Sequence, residues 1–212
     1  MKRLFSLVIL LSSLSLTGFC QNDPNALSVL DKFSSKASSA PSVSMKFMLI
    51  NVDQVENTRD SLNGSVIISK DSYKLELPNN ITWFNGEISW SYLVAEKEVT
   101  ITKPSKKDNN FQAQPSLIFT IYKKGYKCRL VDEKQDSYLI DLYPEDIKSD
   151  IVRARLLIDK KSFALKNFEY KRRDGISMIL DILDYKLTEK TEPAFFVFPA
   201  AKYKDAEVVD MR

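Results

Sequence analysis

From residue 64 to residue 102 the chain reads GSVIISKDSYKLELPNNITWFNGEISWSYLVAEKEVTIT, in which short apolar and aromatic runs are broken repeatedly by turn residues. Tyr73, Leu75 and Leu77 alternate with Lys74 and Glu76, and Ile88, Trp90 and Tyr92 alternate with Ser89 and Ser91. A period of two places alternate side chains on one face, so the stretch predicts an antiparallel meander with an apolar side. Asn85-Gly86 predicts a two-residue type I′ turn, because Asn and Gly best tolerate positive φ at both central positions. Lys70-Asp71, Pro78-Asn79-Asn80 and Ala95-Glu96-Lys97 supply the other reversals. An apolar sheet face must be covered by helices, by a second sheet or by a ligand.

Upstream the period changes. Leu27, Leu30, Phe33 and Ala37 recur at spacings of three and four, which predicts an amphipathic helix capped by Asp23, with Pro24 at its first position. The helix should stop near Ser39, ahead of Pro41. Val43 to Ile50 alternates as a first strand, and the polar segment 51–61 reads as an exposed hairpin end before Gly64 resumes the sheet. Downstream, residues 103–114 form a polar loop long enough to suggest a functional connection. Residues 115–124, PSLIFTIYKK, read as a short helix with Pro115 in its first turn and Gly125 as its cap, although so short an apolar run also fits a central strand. Leu117, Ile118, Phe119, Ile121 and Tyr122 are apolar nearly all round, so this element is either sandwiched or a cover for something apolar. Five further strands follow, over 126–132, 137–143, 151–159, 163–171 and 176–187, giving about eleven in all. Phe195 to Pro199 is a last apolar segment before a polar ending.

The first twenty of the 212 residues read as a secretory signal, with Lys2-Arg3 ahead of an apolar stretch from Leu4 to about Leu16. Cleavage would follow Cys20, or precede it if Cys20 were lipidated; the bulky Phe19 fits the second poorly. Residues 21–212 then form one exported domain. Losing Lys2 and Arg3 lowers the formal net charge from +3 to +1, which argues against a nucleic-acid partner. Only Cys128 survives cleavage, so no internal disulfide is expected.

The absence of histidine rules out a histidine-based triad, and five glycines provide no phosphate-cradling loop. No cofactor or metal is implied. Asp181 with Asp184, and Asp141 with Glu145, are carboxylates that nothing marks as an acid and a base. Arg153 and Arg155 share a strand face, open to an anionic group or simply solvated. The remaining signal is apolar: Met45, Phe47, Val66, Ile68, Tyr73, Leu75, Leu77, Trp83, Trp90 and Tyr92 are assigned to one sheet face. Leu117, Ile118 and Ile121 are its cover, and Tyr122 belongs to the same lid. They line a ligand cavity or they form ordinary core.

The order of an N-terminal helix, the glycine-started strand Gly64 to Lys70, Tyr73 to Pro78, the Asn85-Gly-x-x-x-Trp90-x-Tyr92 hairpin, Lys97-Glu-Val, a Pro115-led apolar segment and the Phe195–Pro199 and Val209–Arg212 endings resembles the bacterial periplasmic outer-membrane lipoprotein carriers, the LolA family. The resemblance implies a mainly β, single-domain, unclosed antiparallel barrel whose concave face is covered by the N-terminal helix and a lid helix. It implies a non-enzymatic monomer that holds the acyl chains of outer-membrane lipoproteins. Its expected partners are those lipoproteins, an inner-membrane lipoprotein-releasing ABC transporter and an outer-membrane acceptor. Family members often carry Arg-Pro after the glycine-started strand; Lys70-Asp71 stands there instead, leaving Lys70 as the lid latch candidate without a planar guanidinium fork. A carrier of another lipid or glycolipid, a structural or sensor protein with a filled core, and a two-carboxylate hydrolase are the competing readings.

Overall fold

The computed structural model describes residues 22–104 and 114–212. The expected signal segment, Cys20 and most of the 103–114 loop lie outside them. Among the described residues there is one α-helix, α1 (Pro24–Ser39), and no helix is long and apolar enough to cross a membrane. Besides short 3-10 turns, the regular structure is a single twelve-stranded sheet whose order in space is β12-β6-β5-β4-β3-β2-β1-β11-β10-β9-β8-β7. The strands are β1 (Ser42–Asp53), β2 (Thr58–Ser69), β3 (Ser72–Glu76), β4 (Asn80–Phe84), β5 (Ser89–Leu93), β6 (Glu98–Thr102), β7 (Tyr126–Glu133), β8 (Ser137–Pro144), β9 (Ile151–Asp159), β10 (Leu165–Arg172), β11 (Ile176–Thr188) and β12 (Glu207–Asp210). All neighbours are antiparallel except β12, which runs parallel to β6. The sheet does not close on itself: β12 and β7 are its ends.

Alternation within each strand sends one set of side chains into the concavity. Cross-strand partners share a face, so the rows Val43–Ile68–Tyr73–Phe84 and Met45–Val66–Leu75 line it on one side of β1. On the other side Leu180, Phe168, Leu156 and Ile140 continue it across β11 to β8. Opposite Phe47 in the ladder stands Gly64, where a Cβ would lie 2.6 Å from Phe47 Cζ and 2.8 Å from Leu77 Cδ2. That glycine is there to admit the Phe47 ring.

Helix α1 lies in the concavity as its pattern predicts. Ala26, Val29, Leu30, Phe33 and Ala37 form its buried stripe, with Leu27 at the margin. Asp23 caps it by accepting from the Asn25 and Ala26 amides. The same Asp23 carboxylate accepts from the Leu130 amide at 3.0 Å, and Asn22 Oδ1 accepts from the Cys128 amide at 2.8 Å. These bonds occupy part of the free edge of β7 that would otherwise invite another strand.

The expected count of about eleven strands stands, at twelve, with the polar ending supplying β12. Several other expectations are corrected. The 51–61 segment is largely strand, with β1 and β2 paired as far as Asp53 and Thr58. Asn85-Gly86 is not a two-residue turn: residues 85–88 form a four-residue connection in which Asn85 Oδ1 accepts from the Glu87 and Ile88 amides, and only Gly86 has positive φ. The two-residue reversal is instead Lys70-Asp71, with Lys70 at φ 54°. Residues 115–124 are not one helix either. They form two 3-10 turns, Pro115–Phe119 and Ile121–Lys123, broken at Thr120. Gly125, at φ 79°, follows an extended Lys124 rather than capping a helix.

Candidate functional site

The structure separates the predicted lining into two groups. Met45, Phe47, Val66, Ile68, Tyr73 and Leu75 are all buried in the concave core, and Leu77 packs against it half-buried. Trp83, Trp90 and Tyr92 belong to the opposite, convex face. The register pairs Lys74 with Trp83 and Trp83 with Trp90, so their side chains leave the sheet on the side away from Tyr73 and Leu75. There the C-terminal segment covers them, with Trp83 meeting Phe198 at 5.4 Å and Tyr92 meeting Tyr203 at 4.6 Å between ring centroids. Assigning all ten residues to one face is therefore corrected: the alternation is right within each strand, but its phase inverts across the Pro78-Asn79 turn.

The cover of the concave face is the pair of 3-10 turns together with α1. Ile118, Phe119 and Tyr122 point into the core, and Phe33 of α1 meets Phe119 at 5.5 Å. Leu117 and Ile121 are only half-buried and border open space. Besides a cleft of about 470 Å³ that reaches Ser116 from Tyr73 and Phe84, two clefts share Leu117 and Thr120 and flank the turns. The larger, about 730 Å³, lies between them and the ends of β7, β9 and β10, and is lined by Leu117, Ile121, Tyr126, Ile151 and Tyr170, with Lys123, Lys124 and Arg172 at its rim. The smaller, about 380 Å³, lies towards α1 and includes Ala37, Val43, Ile68, Lys70 and Phe119. Lys70 thus stands at the mouth of the smaller cleft, beside the first 3-10 turn.

Burial raises the phenols of Tyr126 and Tyr170, consistent with a weakly hydrated wall. These two, with Ile151 and Arg172, are site residues that the sequence reading did not single out. Tyr126 and Tyr170 do alternate with polar neighbours, but nothing in that pattern tells that β7 and β10 end beside the cover.

The convex charges are mutually engaged. Arg155 donates through Nε and Nη2 to the two oxygens of Asp141 at 2.6 and 2.8 Å, and the Tyr143 hydroxyl donates to Asp141 Oδ2 at 3.0 Å. Although burial acts to raise the Asp141 carboxyl, the Arg155 and Tyr143 bonds outweigh it and hold the group below its ordinary value. Arg153 pairs with Glu169 at 3.0 Å. No cluster of potential metal-ligating side chains occurs among the described residues.

A curved antiparallel sheet that remains open, with a helix and short turns seated against its apolar concavity, defines an open half-barrel with an internal, partly covered trough. The chain belongs to the LolA family: the family model described as outer membrane lipoprotein carrier protein LolA matches residues 16–176. Comparison with curated proteins finds no match. Among solved structures, the chain is similar in fold to an uncharacterized conserved protein from Thermus thermophilus, at 16% identity and a TM-score of 0.58, covering 88% of this chain and 99% of that one. Other similar structures are a LolA superfamily protein from Nitrosomonas europaea, at 12% identity and TM-score 0.44 over 82% of this chain and 97% of that one, and a putative outer membrane lipoprotein-sorting protein domain from Vibrio parahaemolyticus, at 13% identity and TM-score 0.45 over 85% and 98%.

Proposed function

We propose that this protein is a non-enzymatic periplasmic carrier, exported by its signal segment, that shields the acyl chains of lipoproteins on their way from the inner to the outer membrane. The observation that carries this reading is the cover: two short 3-10 turns with a break at Thr120 stand between two clefts, over an apolar sheet face. Short 3-10 turns contribute few backbone hydrogen bonds of good geometry, so such a cover is a locally weak element of the fold. Lifting it would join the clefts into one apolar trough along Met45, Phe47, Val66, Ile68, Tyr73, Leu75 and Leu77. Leu117, Ile118, Ile121 and Tyr122 would then exchange contacts with the sheet for contacts with cargo, and Lys70 would act as the latch at the near end. Each methylene buried is worth about 0.8 kcal/mol, so a chain only partly enclosed is still held firmly. The partners of such a carrier would be an inner-membrane lipoprotein-releasing ABC transporter and an outer-membrane acceptor.

The test is mass spectrometry of the protein purified from the cell envelope without detergent. Co-purified triacylated lipoprotein supports the proposal; a chain that carries no acyl-bearing molecule and takes none up from solution defeats it.

A further inference from the structure

The larger cleft is not uniformly apolar. Leu117, Ile121, Tyr126, Ile151 and Tyr170 form its inner wall, while Lys123, Lys124 and Arg172 stand at its rim against a single acidic lining residue, Asp150. Arg172 donates from Nη2 to Asp174 at 2.7 Å, an ion pair with both side chains 43% exposed, and its Nε is buried without an acceptor. A surface pair of this kind contributes little and exchanges readily for a better anion, whereas a buried donor left unsatisfied is costly. The exposed Lys123 and Lys124, with an Arg172 guanidinium held at the surface only by Asp174, therefore leave the rim cationic beside a wall suited to hydrocarbon.

The acylated glyceryl-cysteine end of a triacylated lipoprotein carries no charge and would leave those cations without a counterpart. We propose that the cleft between Ile121 and Tyr170 binds an anionic glycerophospholipid, its charged head group on Lys123, Lys124 and Arg172 and its acyl chains running beneath the 3-10 turns. The proposal rests on the carrier reading, since the chains need the same trough. Lys123 and Lys124 supply mobile point charges, and Arg172 supplies the directional donor for a non-bridging phosphate oxygen.

The test is calorimetric titration of the purified protein with dihexanoyl phosphatidylglycerol, which carries one net negative charge, and with dihexanoyl phosphatidylcholine, which carries none. The expected result is tighter binding of phosphatidylglycerol by about tenfold or more at low salt, the margin shrinking as salt screens the rim. The variant Lys123→Gln/Lys124→Gln/Arg172→Gln should lose that margin while keeping its fold by circular dichroism. Equal binding of the two lipids by the unaltered protein, or a preference that survives the triple substitution, overturns the proposal. So does inorganic phosphate that competes as well as the lipid, which would make the rim a site for free anions. Binding of a triacylated lipopeptide with neither phospholipid bound overturns this inference and leaves the carrier reading standing. Failure to bind any of the three overturns both.

Discussion

The hydroxyl of Tyr122 donates a hydrogen bond to Oδ1 of Asp31 at 2.6 Å, joining the second 3-10 turn of the cover to α1. Tyr122 is buried while Asp31 is exposed, so the bond lies where the cover meets solvent. Burial raises the Tyr122 phenol, and the Asp31 bond raises it further by favouring the protonated donor. Through α1 the cover is also tied to the far end of the sheet, because Lys36 Nζ donates to the Ser162 carbonyl at 3.0 Å and lies over the Phe163 ring.

Tyr122→Phe removes that tether and keeps the ring. A stability loss of about 1 kcal/mol is expected, since the acceptor remains hydrated. Amide exchange should accelerate in residues 115–123 more than in β8 or β9. Uniform acceleration across the chain would mean that the bond holds the whole fold rather than the cover.

A disulfide from the cover to the sheet separates a moving lid from fixed core. Ile118 and Ile68 both sit in the concave core, and Cys128, whose thiol burial pushes up to about 11, is best removed as Cys128→Ser. With Ile118→Cys and Ile68→Cys cross-linked, uptake of an acylated probe should stop and should return on reduction. Uptake at an unchanged rate by protein with a verified cross-link would make the 3-10 turns ordinary core.

Gly64→Ala places a methyl 2.6 Å from Phe47 Cζ and 2.7 Å from its Cε2. Both the Phe47 ring and Leu77 would have to move, at a cost of about 1–3 kcal/mol in urea unfolding. The companion variant Gly64→Ala/Phe47→Leu should recover part of that loss, because the shorter side chain vacates the space.

Trp83→Ala tests the convex assignment. Its ring is 2% exposed and packs edge-on to Phe198 and Tyr203, so about 3–5 kcal/mol of stability should be lost. Limited proteolysis should then cut within residues 193–206 first. Binding of acylated probe by the remaining folded protein should be unchanged; a matching loss of affinity would return Trp83 to the ligand site.

Alkaline pH should weaken the fold through its buried phenols. Burial holds Tyr73 and Tyr185 up at about 12, above the ordinary value of 10.0. Below pH 10 both are neutral in folded and unfolded chains, and their contribution is complete. Above it the unfolded chain ionises first, so stability should fall towards pH 12 by about 1.4 kcal/mol per pH unit for each tyrosine. Phenolate absorbance that rises together with loss of the far-ultraviolet signal would bear this out; phenolate formation in an intact fold would count against it.

Local chemistry was legible along the chain. The Asp23-Pro24 start and the three-and-four spacing of α1, the alternation of Tyr73 and Leu75, and the order of elements that marks the family each depend on neighbours in sequence, and sequence carries those directly. The tertiary structure alone decided which way each alternating strand faces. A period of two is unchanged by inverting the faces, and in β4 and β5 the apolar side, with Ile81, Trp83, Trp90 and Tyr92, is the convex one, buried by the C-terminal segment. It also decided that Tyr126, Tyr170 and Arg172 share a cleft with Ile121, since they come from separate strand ends that meet only when the sheet curls. The 3-10 form of the cover belongs here too. A run as apolar as Leu117 to Tyr122 fits a helix or a strand equally well, and packing of Ile118, Phe119 and Tyr122 against the sheet and Phe33 resolves the choice.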